Sequence, residues 1–352
     1  MARILRFGKA INEALFVAME KDSKVITIGL GVDDPKRIFG TTAGLNEKFG
    51  SDRVFDMPIS ENAMTGVAIG ASLNGIRPVM SHQRLDFFLL AMDQLINNAA
   101  KWYYMFGGKR SVPITIRLVL GRGWGQGPQH SQSLQSWFAH IPGLKVVMPS
   151  TAYDAKGLLL SAIFDDNPVL YLEHRWLHNL KGDVPEGDYR VPIGRANVLR
   201  KGEDMTIVSL SYMTIEALHA LEILEKQGVN CELIDLRTVN PIDWETIFKS
   251  VEKTGGLVAL DTAAETLSIA SEIVAKVSME LFDRLKRPPA RIALADFPTP
   301  TTSSLTEKYY KRAEDIVHTV GKMLGKKLDT KEILDSRKFP HDVPGDWFKG
   351  PF

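Results

Sequence analysis

The sequence predicts an α/β protein of two domains, each a mostly parallel sheet covered by helices, and three observations carry that prediction. Short apolar runs alternate with helical patterns through the first half of the chain. The alternation breaks near residues 181–195 and then resumes. A chain of 352 residues, 44% hydrophobic and 24% charged, is long enough for two cores of ordinary domain size. Strands that alternate with helices favour parallel pairing, because each crossover helix covers a face of the sheet.

In chain order, strand-like runs fall at Lys24 to Gly29, Arg53 to Met57, Pro78 to Ser81, Val112 to Leu120, Lys145 to Met148 and Val169 to Glu173. Between them, Met92, Leu95, Ile96, Ala99 and Trp102 recur at helical spacing, so Ala91 to Met105 reads as a packed helix stopped by Gly107-Gly108. The stretch His178 to Arg190, rich in Gly, Pro, Asp and Glu, interrupts the periodicity. The expected organisation is a first domain over residues 1–180, a linker over 181–195, a second domain over 196–326 and an extension over 327–352. In the second domain, runs at Met205 to Leu210, Cys231 to Val239, Gly256 to Asp261 and Ile292 to Asp296 alternate with helical patterns at Thr214 to Gln227 and Ser268 to Leu285. The extension ends in a Pro/Gly/aromatic stretch, Pro344 to Phe348, expected to pack as an arm or on a partner.

Charge excludes one class of function. Lys and Arg number 43 against 42 Asp and Glu, which leaves no basic surplus for a phosphate backbone, so no nucleic-acid partner is expected. The single Cys231 excludes an internal disulfide and, lying in an apolar run, is expected to be a buried strand thiol. Met1 to Val17 holds no long apolar core or small-residue cleavage site, and no stretch approaches the length of a bilayer span. The expected location is cytoplasmic, with no membrane partner.

The most informative stretch is Asp56-Met57-Pro58-Ile59-Ser60-Glu61-Asn62, where a strand-like run gives way to a small-residue helix. With Ser60 as N-cap, Glu61 falls in the first helical turn, where the dipole favours its anionic form. Downstream lie the Gly-rich Gly121 to Gly127 and then Gln129-His130-Ser131-Gln132. Ser131 has no Gly-x-Ser-x-Gly elbow around it, which argues against a hydrolase. Neither Gly29-Leu30-Gly31 nor Gly121 to Gly127 supplies Gly-x-Gly-x-x-Gly between strand and helix, which argues against a nicotinamide cofactor.

The order of these pieces resembles the beta subunits of the thiamine-diphosphate-dependent, decarboxylating component of 2-oxo-acid dehydrogenase complexes, a transketolase-like family. The resemblance runs through Asn46 to Gly50, Pro58 to Glu61, Gly75 to Val79, Met92 to Asn97, Gln129 to Gln132, His140 to Val147 and Asp235 to Val239, and spans about residues 5 to 325. It implies a pyrimidine-binding domain followed by a transketolase C-terminal domain. In that family a carboxylate at the position of Glu61 hydrogen-bonds N1′ of the cofactor's aminopyrimidine, favouring the imino form whose nitrogen takes the C2 proton. The resemblance places Phe87 on the pyrimidine ring, puts Ile59 beside the cofactor and turns His130 toward the substrate. Asp93 and Asn97, one turn apart, would lie at a contact between two beta subunits. Ile114, Ala162, Asp165 and Asn167 match positions whose oxygens hold a structural monovalent cation such as K+.

Gly-Asp-Gly followed some thirty residues later by Asn-Asn, the family's sign for magnesium and diphosphate, does not occur in this chain. The resemblance assigns that half, with Mg2+, to an alpha subunit in an alpha2beta2 assembly, which acts on a small 2-oxo acid and passes the acyl group to a lipoyl acyltransferase core. The chain also departs from the pattern. Leu30, Gly31 and Ser81 stand where the family commonly has acids, and Ser81 leads into a distinctive His82-Gln83-Arg84. Ser268, Ala270 and Thr301 replace two glycines and a tyrosine. Two other readings stay open: the second half of a split transketolase-like carbon-carbon ligase, and a non-catalytic assembly subunit.

Overall fold

A computed structural model describes residues 3–122, 125–348 and 350. The first half contributes β1 (Arg3–Arg6), β2 (Val25–Gly29), β3 (Val54–Asp56), β4 (Arg77–His82), β5 (Thr115–Leu120), β6 (Lys145–Val147), β7 (Val169–His174) and β8 (Lys181–Val184). The second contributes β9 (Asn197–Arg200), β10 (Met205–Ser209), β11 (Cys231–Asp235), β12 (Thr238–Asn240), β13 (Leu257–Ala264) and β14 (Ala290–Leu294).

Seven strands form the first sheet in the order β12-β6-β7-β5-β4-β2-β3, parallel except for β12. Five form the second, β14-β13-β10-β11-β9, parallel except for β9. Every residue of β5 and β7 is buried. A strand covered on both faces needs a nearly unbroken apolar run, which is why these two segments stood out in the sequence. One hydrophobic cluster runs from Met80, Leu118 and Phe138 into Val208, Ile234 and Ile273, so the two sheets share a core.

Three elements differ from expectation. The run Cys231 to Val239 is two strands, because Arg237 turns into the left-handed region (φ +60°). That turn sends Thr238–Asn240 across to pair with β6 of the first sheet. The stretch expected as linker contains β8, which pairs antiparallel with β1, Ile4 opposite Asp183. The helix expected over Ala91 to Met105 is a 3-10 turn at Leu89–Ala91, a π-helical segment at Gln94–Ala99 and an α-helix at Ala100–Met105. Asp93 and Asn97 still share a face, with Asn97 Nδ2 donating to Asp93 Oδ1 at 2.7 Å.

After the helix Lys331–Ser336 the chain folds back over both domains. Trp347 Nε1 donates to the Trp176 carbonyl at 2.9 Å, and Arg175 donates to that of Gly350. Cys231 is buried in its strand, and burial pushes its thiol up to about 12. Among the described residues, no helix is long and apolar enough to cross a membrane.

Candidate active site

The carboxyl ends of parallel strands open toward the crevice where α/β proteins hold ligands, and Glu61, Phe87 and His130 follow the carboxyl ends of β3, β4 and β5. At the end of β3, Met57 N still donates to Gly29 O at 2.9 Å, which holds the turn against β2. Pro58, Ile59 and Ser60 then run over the surface, with Ile59 87% exposed. Ser60 occupies the N-cap position of the helix Glu61–Leu73, but its hydroxyl makes no capping hydrogen bond. Glu61 is only 5% exposed. Its backbone carbonyl accepts from Thr65 Oγ1 at 2.8 Å. Among the described residues no donor reaches its carboxylate, whose oxygens stay open to solvent and so are free to meet a ligand.

The helix of Glu61 packs against Leu89–Ala91 and the π-helical segment, directly after Phe87. Phe87 is half-buried and meets the exposed His130 ring edge to face, centroids 5.3 Å apart and planes at 89°. The neighbouring Asp86 ties the same two segments together, with its Oδ1 accepting from Gln132 N at 3.3 Å and Gln132 Nε2 at 2.8 Å. Burial raises the Asp86 carboxyl against these hydrogen bonds, and its Oδ2 is buried with no hydrogen-bond donor. Arg84 donates to Gly121 O at 3.2 Å and to the Gln126 side chain, clasping the root and middle of the His130 loop. Gly123 and Trp124 of that loop lie outside the described residues.

Deeper in the sheet lie a buried ion pair and two buried histidines. Arg117 is fully buried and donates to Ser81 Oγ at 3.2 Å, Thr41 Oγ1 at 3.0 Å and Glu173 Oε1 at 2.8 Å. Ser81 therefore gives Arg117 a neutral acceptor where an acid was expected, and Glu173 is its ion-pair partner. Gly31 has φ +77°, a backbone conformation that strains any side chain, an acid included. Leu30 packs against the shared core. Burial pushes His82 down to about 4. His174 is pushed to about 3 by burial, with help from the charges of His178 and Arg84. His174 accepts from Trp176 N at Nδ1. A Cβ on Gly121 would stand 2.4 Å from its Nε2, so the strand can end here only in glycine.

The four residues matched to a cation site meet at the opposite, amino end of the strands. The Ile114 carbonyl accepts from Val169 N at 3.0 Å, and that of Ala162 from Asp165 N at 3.2 Å. Asp165 accepts from Asn167 N at 2.9 Å and pairs with Lys145, while Arg77 donates to its carbonyl at 3.0 Å. A carbonyl has a second lone pair, so these bonds leave acceptor capacity. Among the described residues, no group of three or more His, Cys, Asp or Glu side chains is placed to hold a metal ion.

Sequence reasoning missed Asp86 and Arg84 as organisers of the site. Asp86 and Arg84 flank Phe87 within three positions, and His82-Gln83-Arg84 was marked only as unusual. Their partners Gln126 and Gln132 lie more than forty residues on, a pairing that no local pattern announces.

Comparison with known proteins sets this geometry in a family. Residues 5–179 match the transketolase pyrimidine-binding domain and residues 194–316 the transketolase C-terminal domain. The chain is 43% identical to acetoin:2,6-dichlorophenolindophenol oxidoreductase subunit beta of Cupriavidus necator, over 92% of this chain and 98% of that protein. It is 42% identical to 2-oxoisovalerate dehydrogenase subunit beta of Bacillus subtilis, over 87% and 94% of the two chains. It is 39% identical to pyruvate dehydrogenase E1 component subunit beta of Porphyra purpurea, over 91% and 96%. A solved structure described as split gene transketolase, inactive beta4 tetramer, superposes with a TM-score of 0.73 at 26% identity, covering 93% of this chain and 99% of that one. By sequence over most of its length and by fold, the chain belongs to the family of thiamine-diphosphate-dependent 2-oxo-acid dehydrogenase beta subunits, built from two transketolase-type domains.

Proposed function

We propose that this chain is the pyrimidine-binding half of a 2-oxo-acid decarboxylase, and that Glu61 activates its thiamine diphosphate. The carrying observation is the Glu61 carboxylate, which no described protein donor reaches, on a largely buried residue whose helix packs beside the Phe87 segment. The cofactor, when bound, supplies a nucleophilic carbon and an electron sink for the loss of carbon dioxide. Glu61 holds the proton at N1′, Phe87 packs on the pyrimidine face with Ile59 at the entrance, and His130 donates a hydrogen bond to the substrate's carbonyl or carboxylate. Positioned acid-base groups of this kind contribute about a hundredfold to ten-thousandfold in rate.

An alpha subunit holds the diphosphate and Mg2+ in an alpha2beta2 assembly, and Ile114, Ala162, Asp165 and Asn167 hold a structural K+. Asp93 and Asn97, both exposed on one helix face, form the contact between beta subunits. Tyr104 and Met105, 89% and 65% exposed farther along the same helical stretch, support an interface in this region, because apolar side chains gathered at a surface mark contact sites. The final acceptor is a lipoyl arm.

A second reading has its own observation, the structural likeness to a split transketolase. The test adds the alpha partner and thiamine diphosphate with Mg2+ and follows carbon dioxide release from a panel of 2-oxo acids beside ketol transfer between sugars. Carbon dioxide release that depends on both subunits supports the decarboxylase. Ketol transfer without it replaces that reading with the ligase, and neither activity in a folded complex leaves the assembly subunit.

A further inference from the structure

The loop that carries His130 begins at Arg122, one of the largest fully buried side chains in the protein. Its guanidinium lies 2.9 Å from Asp342 Oδ2, with the two side chains 1% and 2% exposed. The contact with Asp342 is an ion pair and not an aligned hydrogen bond, while Nη2 donates to the Thr301 carbonyl at 2.8 Å. Among the described residues, no other carboxylate lies within ion-pair distance of Arg122. Asp342 belongs to the C-terminal arm, past residue 316, where the match to the C-terminal domain ends. The arm is itself fastened to both domains, through Arg312 to the carbonyls of Val343 and Pro344, Trp347 to Trp176, and Arg175 to Gly350. The loop is thus held in three places: its root by the arm and Thr301, its middle by Arg84, and its exit by Asp86 through Gln132.

We propose that Asp342 is a positioning residue for the active-site loop, setting the pose of His130 through Arg122. A guanidinium this deeply buried needs its counter-charge. Without one it is driven toward water, and here its way out pulls the backbone from which the loop starts. The role assigned to His130 rests on the function proposed above, but the anchoring does not.

The experiment compares Asp342→Asn, Asp342→Glu, His130→Ala and the double variant Asp342→Asn/His130→Ala in the assembled enzyme. Hydrogen exchange is followed in peptides spanning 125–132. Asp342→Asn is expected to speed exchange in those peptides about tenfold or more, while β10 and β11 stay protected. It is expected to lower turnover of the 2-oxo acid, with Asp342→Glu recovering most of the loss. The double variant is expected to be no slower than His130→Ala, because residues acting along one chain of contacts are not additive. Unchanged loop exchange in Asp342→Asn overturns the anchoring, and losses that multiply in the double variant overturn the action through His130. If the wild-type assembly shows no decarboxylation, the functional reading fails and loop exchange alone decides the anchoring. If Asp342→Asn does not fold, Arg122→Met/Asp342→Leu removes both charges. Faster loop exchange in that variant supports the anchor, and wild-type exchange overturns it.

Discussion

Phe87 and His130 stand edge to face with their ring centroids 5.3 Å apart, although forty-three positions separate them in the chain. The contact joins a residue expected beside the cofactor to one expected beside the substrate. An edge-to-face pair contributes about 0.5–1.5 kcal/mol beyond its buried area. Phe87→Leu is expected to weaken cofactor binding and also to disturb His130. Turnover measured for Phe87→Leu, His130→Ala and the double variant should give a coupling of about 1 kcal/mol. Strictly additive losses would show that the contact carries nothing.

Glu61→Gln tests the central assignment. The amide keeps the shape of the side chain but cannot share a proton as a carboxylate does, so C2 proton exchange of the bound cofactor should slow about a hundredfold or more. The assembly should remain folded. Exchange at the wild-type rate in a folded Glu61→Gln complex removes this residue from the mechanism.

Much of this site was legible because its pieces are local. The turn from β3 into the helix of Glu61 is written in seven consecutive residues, and the buried runs of β5 and β7 announce a parallel sheet. What stayed hidden depends on distant partners. Nothing near Arg237 says that Thr238–Asn240 completes the first domain's sheet, because that pairing is decided by β6, about ninety residues earlier. The π-helical segment was read as α because its apolar positions fit both spacings over so short a stretch. Asp342 was out of reach for the same reason, since a lone aspartate in a polar tail shows its use only beside Arg122.

Acid sensitivity should follow from buried histidines. His82 is fully buried with neither ring nitrogen hydrogen-bonded, and packs its ring against Phe88 at 4.9 Å. Its folded value of about 4 lies below the ordinary 6.5, so the unfolded chain binds the proton first. The resulting loss of stability begins as pH falls below about 6.5 and grows until about pH 4. At pH 5 it should amount to on the order of 2 kcal/mol. His82→Phe keeps the ring contact and removes the titration. Urea unfolding of this variant at pH 7.5 and pH 5 should show a smaller difference than in the wild type, and an equal difference would move the sensitivity elsewhere.

Glu173→Gln should be costly as well. Burial alone would raise the Glu173 carboxyl, but the Arg117 guanidinium, aided by His178, holds it below the usual range. The pair therefore stabilises the fold above the ordinary carboxylate range, and its contribution is lost as pH falls through the depressed folded value. The substitution removes the counter-charge and leaves the buried Arg117 with neutral acceptors alone, the replacement's amide oxygen and the hydroxyls of Ser81 and Thr41. A loss of about 3–5 kcal/mol is expected at pH 7 by urea unfolding. A loss below about 1 kcal/mol would mean that neutral acceptors suffice.

His130 is predicted to fail at a different step from Glu61. It is exposed at the mouth of the site and touches Phe87, while Glu61 is a largely buried residue at a helix start. Replacing His130 with Ala should leave C2 proton exchange near its wild-type rate, because Glu61 and the pyrimidine are untouched. Turnover of the 2-oxo acid, or transfer to the acceptor, should fall roughly tenfold to a thousandfold, as expected for one positioned group. Single-turnover decarboxylation and acceptor transfer, measured beside C2 exchange in the same complex, separate the steps. If His130→Ala slows exchange as much as Glu61→Gln while the later steps stay normal, the substrate-side role is wrong. If no step changes in a folded complex, His130 serves the loop's packing against Phe87 and takes no part in the chemistry.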